Sequence, residues 1–188
     1  LKPIWLTPLW AEPLRANFGG TAAIEAMKAD VVDEFIDKGS LECLNSLHSN
    51  PVTNAFAADD TFLASDSDHQ LLIKVQFRQP IKLAAIKFKG FAEDDSAATT
   101  IKLFLNKDHI GFDEAEDGEP VQALSLNPTE ADKFVETPVR FVKFQSVSSL
   151  QIFVQENAGA ESTKIQQIQF MGQPASSMDM KDWKPCKS

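Results

Sequence analysis

Beyond residue 40, apolar side chains recur every second residue, and that period restricts the fold more than any other feature of the chain. Leu71-Ile73-Val75-Phe77 and Ile101-Leu103-Leu105 each place a row of apolar groups on one face of an extended segment. The same reading predicts strands over residues 61–64, 71–77, 81–89, 100–106, 121–126, 139–145, 150–155 and 164–171. Within 81–89 the phase slips, because Ile81 and Leu83 give way to Ile86 and Phe88. A β-bulge near Ala84-Ala85 would do this, and so would burial on both faces. Short strands separated by turn residues specify an all-β sandwich, not an alternating strand–helix sheet.

The first 40 residues follow other rules. Pro3, Pro8 and Pro13 stand five apart, as do Trp5 and Trp10, which predicts an extended arm over residues 1–20. Ile24, Met27, Val31 and Phe35 recur at helical spacing. With Thr21 as N-cap and Gly39 past the end, they predict one N-terminal helix over 21–38. The division is therefore arm 1–20, helix to 39, sandwich 40–172 and tail 173–188. Trp5 and Trp10, with Leu1, Ile4, Leu6 and Leu9, make the arm too apolar for a free tail. It is expected to dock on a partner, with the two tryptophans as anchors.

Charge excludes several roles. With 18 Lys+Arg against 27 Asp+Glu, the net charge of −9 argues against nucleic acid, whose affinity rests on neutralising phosphates. It argues equally against a polybasic membrane patch, and no apolar run is long enough for membrane insertion. At 188 residues one domain is expected. The two cysteines, Cys43 and Cys186, form no disulfide framework and no metal spacing, which suits a reducing compartment. A cytoplasmic or nuclear protein is expected, or an organellar one if a targeting peptide once preceded Leu1.

The sandwich region resembles a known family. Leu41-Glu42-Cys43-Leu44-Asn45 resembles the opening motif of the PITH domain, the C-terminal module of proteasome-interacting thioredoxin-like proteins. The likeness continues through residues 61–73, through Gln79-Pro80-Ile81-Lys82-Leu83 and through Ile101-Lys102-Leu103-Phe104-Leu105-Asn106. Residues 112–116, 119–122, 140–145, 150–154 and 170–172 complete it in the family's order. The resemblance implies a jelly-roll β-sandwich like the galactose-binding modules, without their sugar-binding function and used for protein association. It implies the proteasome regulatory particle as partner. No Cys-x-x-Cys occurs, so redox activity is not implied for the chain as given.

The chemistry-bearing residues fit the same class. His48, His69 and His109 stand in separate loops, without metal-ligand spacing. Cys43, between Leu41 and Leu44, reads as a buried, inert thiol. The run Asp113-Glu114-Ala115-Glu116-Asp117-Gly118 concentrates carboxylates, but its register does not match an EF-hand loop, and it reads as a solvated face. No enzyme activity, cofactor or metal is expected. Antiparallel succession puts the loops 65–70, 90–99, 127–137 and 155–163 at one end of the sandwich. There Asp66, Asp68, Glu93, Asp94 and Asp95 would contribute to an acidic rim that steers a basic partner. The expected function is a non-enzymatic adaptor on the proteasome regulatory particle. Next comes an accessory subunit of another large assembly, held by the arm, and third a calcium-dependent carbohydrate-binding module.

Overall fold

The computed structural model describes residues 29–175. The arm, with Trp5 and Trp10, and the tail beyond residue 175 lie outside the described residues, as does the first half of the expected helix. From residue 29 the chain does not continue as an α-helix. Asp30–Val31 (β1) pairs with a later strand, and single 3-10 turns follow at Asp33–Phe35 and Lys38–Ser40. Here tertiary pairing overrides the helical spacing. Val31 is exposed on the sheet edge, while Val32 and Ile36 enter the core.

Eight further strands follow: Glu42–Leu44 (β2), Leu63–Ala64 (β3), Leu71–Gly90 (β4), Ala98–Leu105 (β5), Gln122–Ser125 (β6), Val135–Pro138 (β7), Val147–Asn157 (β8) and Lys164–Pro174 (β9). One short helix, Phe112–Asp117 (α1), lies between β5 and β6. The hydrogen-bonded order is β1-β9-β4-β8-β5-β6, with β2 and β7 also on β4 and β3 on β9, and every pairing is antiparallel.

β4 decides the architecture. Twenty extended residues would span roughly 65 Å. Yet Gly90 at its end pairs with Ile165, and His69, just before its start, accepts a bond from Thr163. Both ends therefore return to the same short segment, so the strand must fold over. The fold-over falls at Arg78-Gln79-Pro80, which are exposed and sit where the ladder with β8 breaks between Gln76 and Ile81. Before the bend β4 is flanked by β2 and β8, after it by β9 and β7, and the two halves belong to the two layers of a jelly-roll sandwich. The two strands expected at 71–77 and 81–89 are thus one bent strand. The expected bulge is present: the register with β9 shifts between Leu83 and Ala85.

The core fills the space between the layers. Leu71, Ile73, Val75, Ile101, Leu103, Leu150, Ile152 and Val154 come from one layer, and Leu83, Ile86, Ile165, Ile168 and Phe170 from the other. Phe170 is its centre, with Phe77 edge-on at 5.4 Å and Phe56 stacked at 6.1 Å. At Gly172 the strands approach so closely that a side-chain carbon would sit 2.2 Å from the carbonyl oxygen of Lys82.

A further expectation is corrected. The strand expected at 139–145 is a 3-10 turn, Phe141–Lys143, and the strand there is β7, four residues earlier. The acidic run at 113–118 does present a solvated face, with Asp113, Glu114, Glu116 and Asp117 exposed, and most of it forms α1. Ala115 is fully buried and Phe112 packs edge-on against Phe153 at 6.1 Å, so the helix covers a second apolar cluster on the outer face of one layer, with Leu72, Phe104 and Ile110.

Candidate functional site

The four loops expected at one end do converge there. Ser65 donates its backbone N–H to the Thr163 carbonyl at 3.0 Å, and the Thr163 N–H donates to Ser65 Oγ at 2.8 Å. Thr163 Oγ1 donates to the His69 carbonyl at 2.6 Å. Ala158, Ala160 and Lys164 donate to the carbonyls of Ala97, Asp95 and Ser96, and Gly90 donates to Ala131 at 2.7 Å. Residues 65–69, 90–97, 131 and 158–164 are thus laced into one rim.

The rim carboxylates divide by task. Asp68 ties its loop to the end of β2, accepting from Asn45 Nδ2 at 2.7 Å, and also accepts from the Gln70 N–H at 2.9 Å. Asp94 accepts from Lys164 Nζ at 2.6 Å and from the Ser96 hydroxyl and N–H. Burial pushes the Asp94 carboxyl up, but hydrogen bonds from Lys164 and Ser96 outweigh it and hold the group below its ordinary range. Asp66, Glu93 and Asp95 are exposed, and the hydrogen bonds of Asp66 and Asp95 run through their backbones. Asp95 also holds a left-handed backbone, with φ of 53°, which places its carbonyl toward Ala160. An open hollow of about 540 Å³ lies among Phe91, Glu93, Asp94, Thr129 and Asp132, with Lys89 and Gln166 also lining it. Lys89 in turn lies over the half-exposed Phe134 ring, 5.9 Å from its centre.

Other candidates behave differently. Burial pushes the Cys43 thiol up to about 12, against an opposing hydrogen bond with Ser46, so it is protonated and unreactive at neutral pH. In the acidic run Glu114 pairs with Lys107 at 2.8 Å, and Glu116 accepts from Gln70 Nε2 at 2.7 Å. Among the described residues no three His, Cys, Asp or Glu side chains converge as a metal site, and no helix is long and apolar enough to cross a membrane. His109, read in sequence as an isolated loop residue, lies 3.4 Å from Lys74 Nζ, which also meets Glu42 at 3.4 Å. Lys74 is only 8% exposed although it sits on the outer face of its sheet. Its strand gave no sign of this, because the covering segment around Ile110 is distant in sequence. Sequence reasoning also missed Val142, placed in a strand and found 87% exposed on a turn.

A model of the PITH domain matches residues 22–188 of the chain. The chain is 36% identical over 168 residues to Thioredoxin-like protein 1 of Schizosaccharomyces pombe, covering 82% of this chain and 57% of that protein. It is 34% identical over 144 residues to PITH domain-containing protein 1 of Xenopus laevis, covering 73% of this chain and 68% of that one. The chain therefore spans between about half and two thirds of the length of these relatives. Among solved structures it is similar to a family 32 carbohydrate-binding module of C. perfringens NanJ in complex with galactose. The TM-score is 0.57, over 76% of this chain and 98% of that one, and at 8% identity the likeness shows the jelly-roll fold alone. Fold, motif order and relatives agree, and the chain belongs to the PITH domain family.

Proposed function

We propose that this chain is a non-enzymatic protein-binding module that docks on the proteasome regulatory particle, with the acidic rim as its steering surface. Membership in a family of proteasome-interacting modules supports the partner. The observation that carries the site is the rim itself. Exposed carboxylates of Asp66, Glu93, Asp95 and Asp132 stand on loops already tied together by hydrogen bonds, so little ordering entropy is lost on docking. Their common sign speeds encounter with a basic surface. In this proposal the arm bearing Trp5 and Trp10 supplies apolar anchors beside that electrostatic contact. The sites of action are the cytoplasm and nucleus.

The test is binding of the chain to purified regulatory particle by a surface-based kinetic assay. Association is expected to slow as salt rises from about 50 to about 300 mM, as screening shortens the reach of surface charge. Joint replacement Glu93→Lys, Asp95→Lys and Asp132→Lys is expected to slow it roughly tenfold, with little change in melting temperature. Removing residues 1–18 is expected to speed dissociation. Absence of a complex, or an association rate indifferent to both salt and the three replacements, would overturn the proposal.

A further inference from the structure

The end of the sandwich opposite the rim carries a surface of different chemistry. There, after β7, residues 140–143 form a turn with Val142 at its apex, 87% exposed, the most exposed large apolar side chain among the described residues. Exposed valines are individually ordinary. This one stands on a turn held from every side. Lys143 and Phe144 donate back to the carbonyls of Arg140 and Phe141 at 2.8 and 3.1 Å. Gln145 Nε2 donates to Phe141 at 2.9 Å, and the Arg140 N–H donates to Gln122 Oε1 at 2.7 Å. Val139 and Phe144, on either side, are buried and bonded to Ala84 and Leu83 of β4. The apex therefore projects without freedom to fold its valine away.

Its flanks are cationic. Among the described residues, the side chains of Arg140 and Lys143 meet no carboxylate, although the protein has 27 acidic residues for 18 basic ones. Arg78, the other arginine among the described residues, lies at the β4 bend beside the Asp37 carboxylate and is not one of these unpaired cations. Unpaired cations around a preorganised apolar apex match a small apolar pocket edged by carboxylates. Arginine and a rigid aliphatic group suit such a contact, because little conformational freedom is lost when they dock.

We infer that the turn bearing Arg140, Val142 and Lys143 is a second docking surface, and that it inserts Val142 into an acid-edged apolar pocket of a partner protein. This rests on the docking function proposed above, and it makes the module a two-ended connector. The rim engages basic surface and the turn engages acidic surface, separated by roughly 20 Å along the second half of β4.

The experiment uses the full chain and purified regulatory particle. Val142→Asp and, separately, the pair Arg140→Glu, Lys143→Glu are each expected to weaken binding at least about tenfold. The valine change should act on dissociation and the charge pair on association. Since these side chains are exposed, melting temperatures should stay at the wild-type value, and Val142→Ser provides a milder variant if the aspartate perturbs folding. Wild-type binding with all three variants unchanged would overturn the inference and leave the docking function standing. No binding by the wild type would overturn both. Binding of phosphatidylserine vesicles that is lost in these variants, with regulatory-particle binding retained, would assign the turn to a membrane and also overturn it.

Discussion

The two ends of the sandwich solve the same problem, holding a polar surface rigid, in opposite ways. At the acidic end four loops brace one another, and their bonds join segments far apart in sequence, such as Ser65 with Thr163. At the basic end a single turn closes on itself through bonds between near neighbours, such as Gln145 with Phe141, while Gln122 and the β4 backbone at Leu83 and Ala84 hold its flanks and Phe144 pins it in the core. A mutual brace shares its rigidity, so one broken bond loosens two loops. A turn that closes on itself depends instead on its anchor in the core and on the strand that holds its flanks.

That contrast can be broken most severely at the anchor. Phe144→Ala removes a fully buried ring and is expected to cost about 3–5 kcal/mol, read by urea unfolding. A loss below about 1 kcal/mol would show that the turn does not depend on the core.

A smaller effect sharpens the other side. Thr163→Val keeps the shape but leaves the His69 carbonyl without its donor, at an expected cost of about 1–3 kcal/mol. Hydrogen exchange should quicken in both the 65–70 and 157–163 loops while the amides of Lys143 and Phe144 keep their protection. Equal quickening at both ends would dissolve the distinction.

The smallest effect is electrostatic. Asp94 is held below its ordinary range when folded, so its contribution is present above the unfolded pKa, near 3.9, and is lost as pH falls through the folded value. Because the pair with Lys164 is partly exposed, Asp94→Asn should cost less than about 1 kcal/mol at pH 7. The difference from wild type should vanish in acid below the folded pKa. A difference that persists there would mean that Asp94 acts through packing and not through charge.

How far these features were legible varies with the range of the interactions behind them. The bulge at Ala84-Ala85 could be read because it shifts the phase of neighbouring residues. The shared end of the four loops could be read because antiparallel succession is itself a local rule. The turn at 141–143 could not, since Val139, Phe141 and Phe144 look like a strand with one slip until Ala84 and Leu83 bond Val139 and Phe144 and Gln122 takes the Arg140 N–H. The same holds for 30–36, where pairing with β9 overrides helical spacing. The acidic run at 113–118 hid a covering helix because one small residue, Ala115, carries its contact with the sheet.

The sequence by itself determined the all-β class, the alternating core rows and the family. These follow from residue period and motif order, which need no knowledge of distant neighbours. Only the tertiary structure decided that β4 is one strand folded over at Arg78-Gln79-Pro80 and that Lys74 is buried beside His109. It also decided that Asp68 and Asp94 brace loops, and that Val142 projects from a turn with unpaired cations beside it. The physical reason is common to all of these. Burial and pairing are properties of what packs against a residue, and here such partners can lie 137 positions apart along the chain, as Asp33 and Phe170 do.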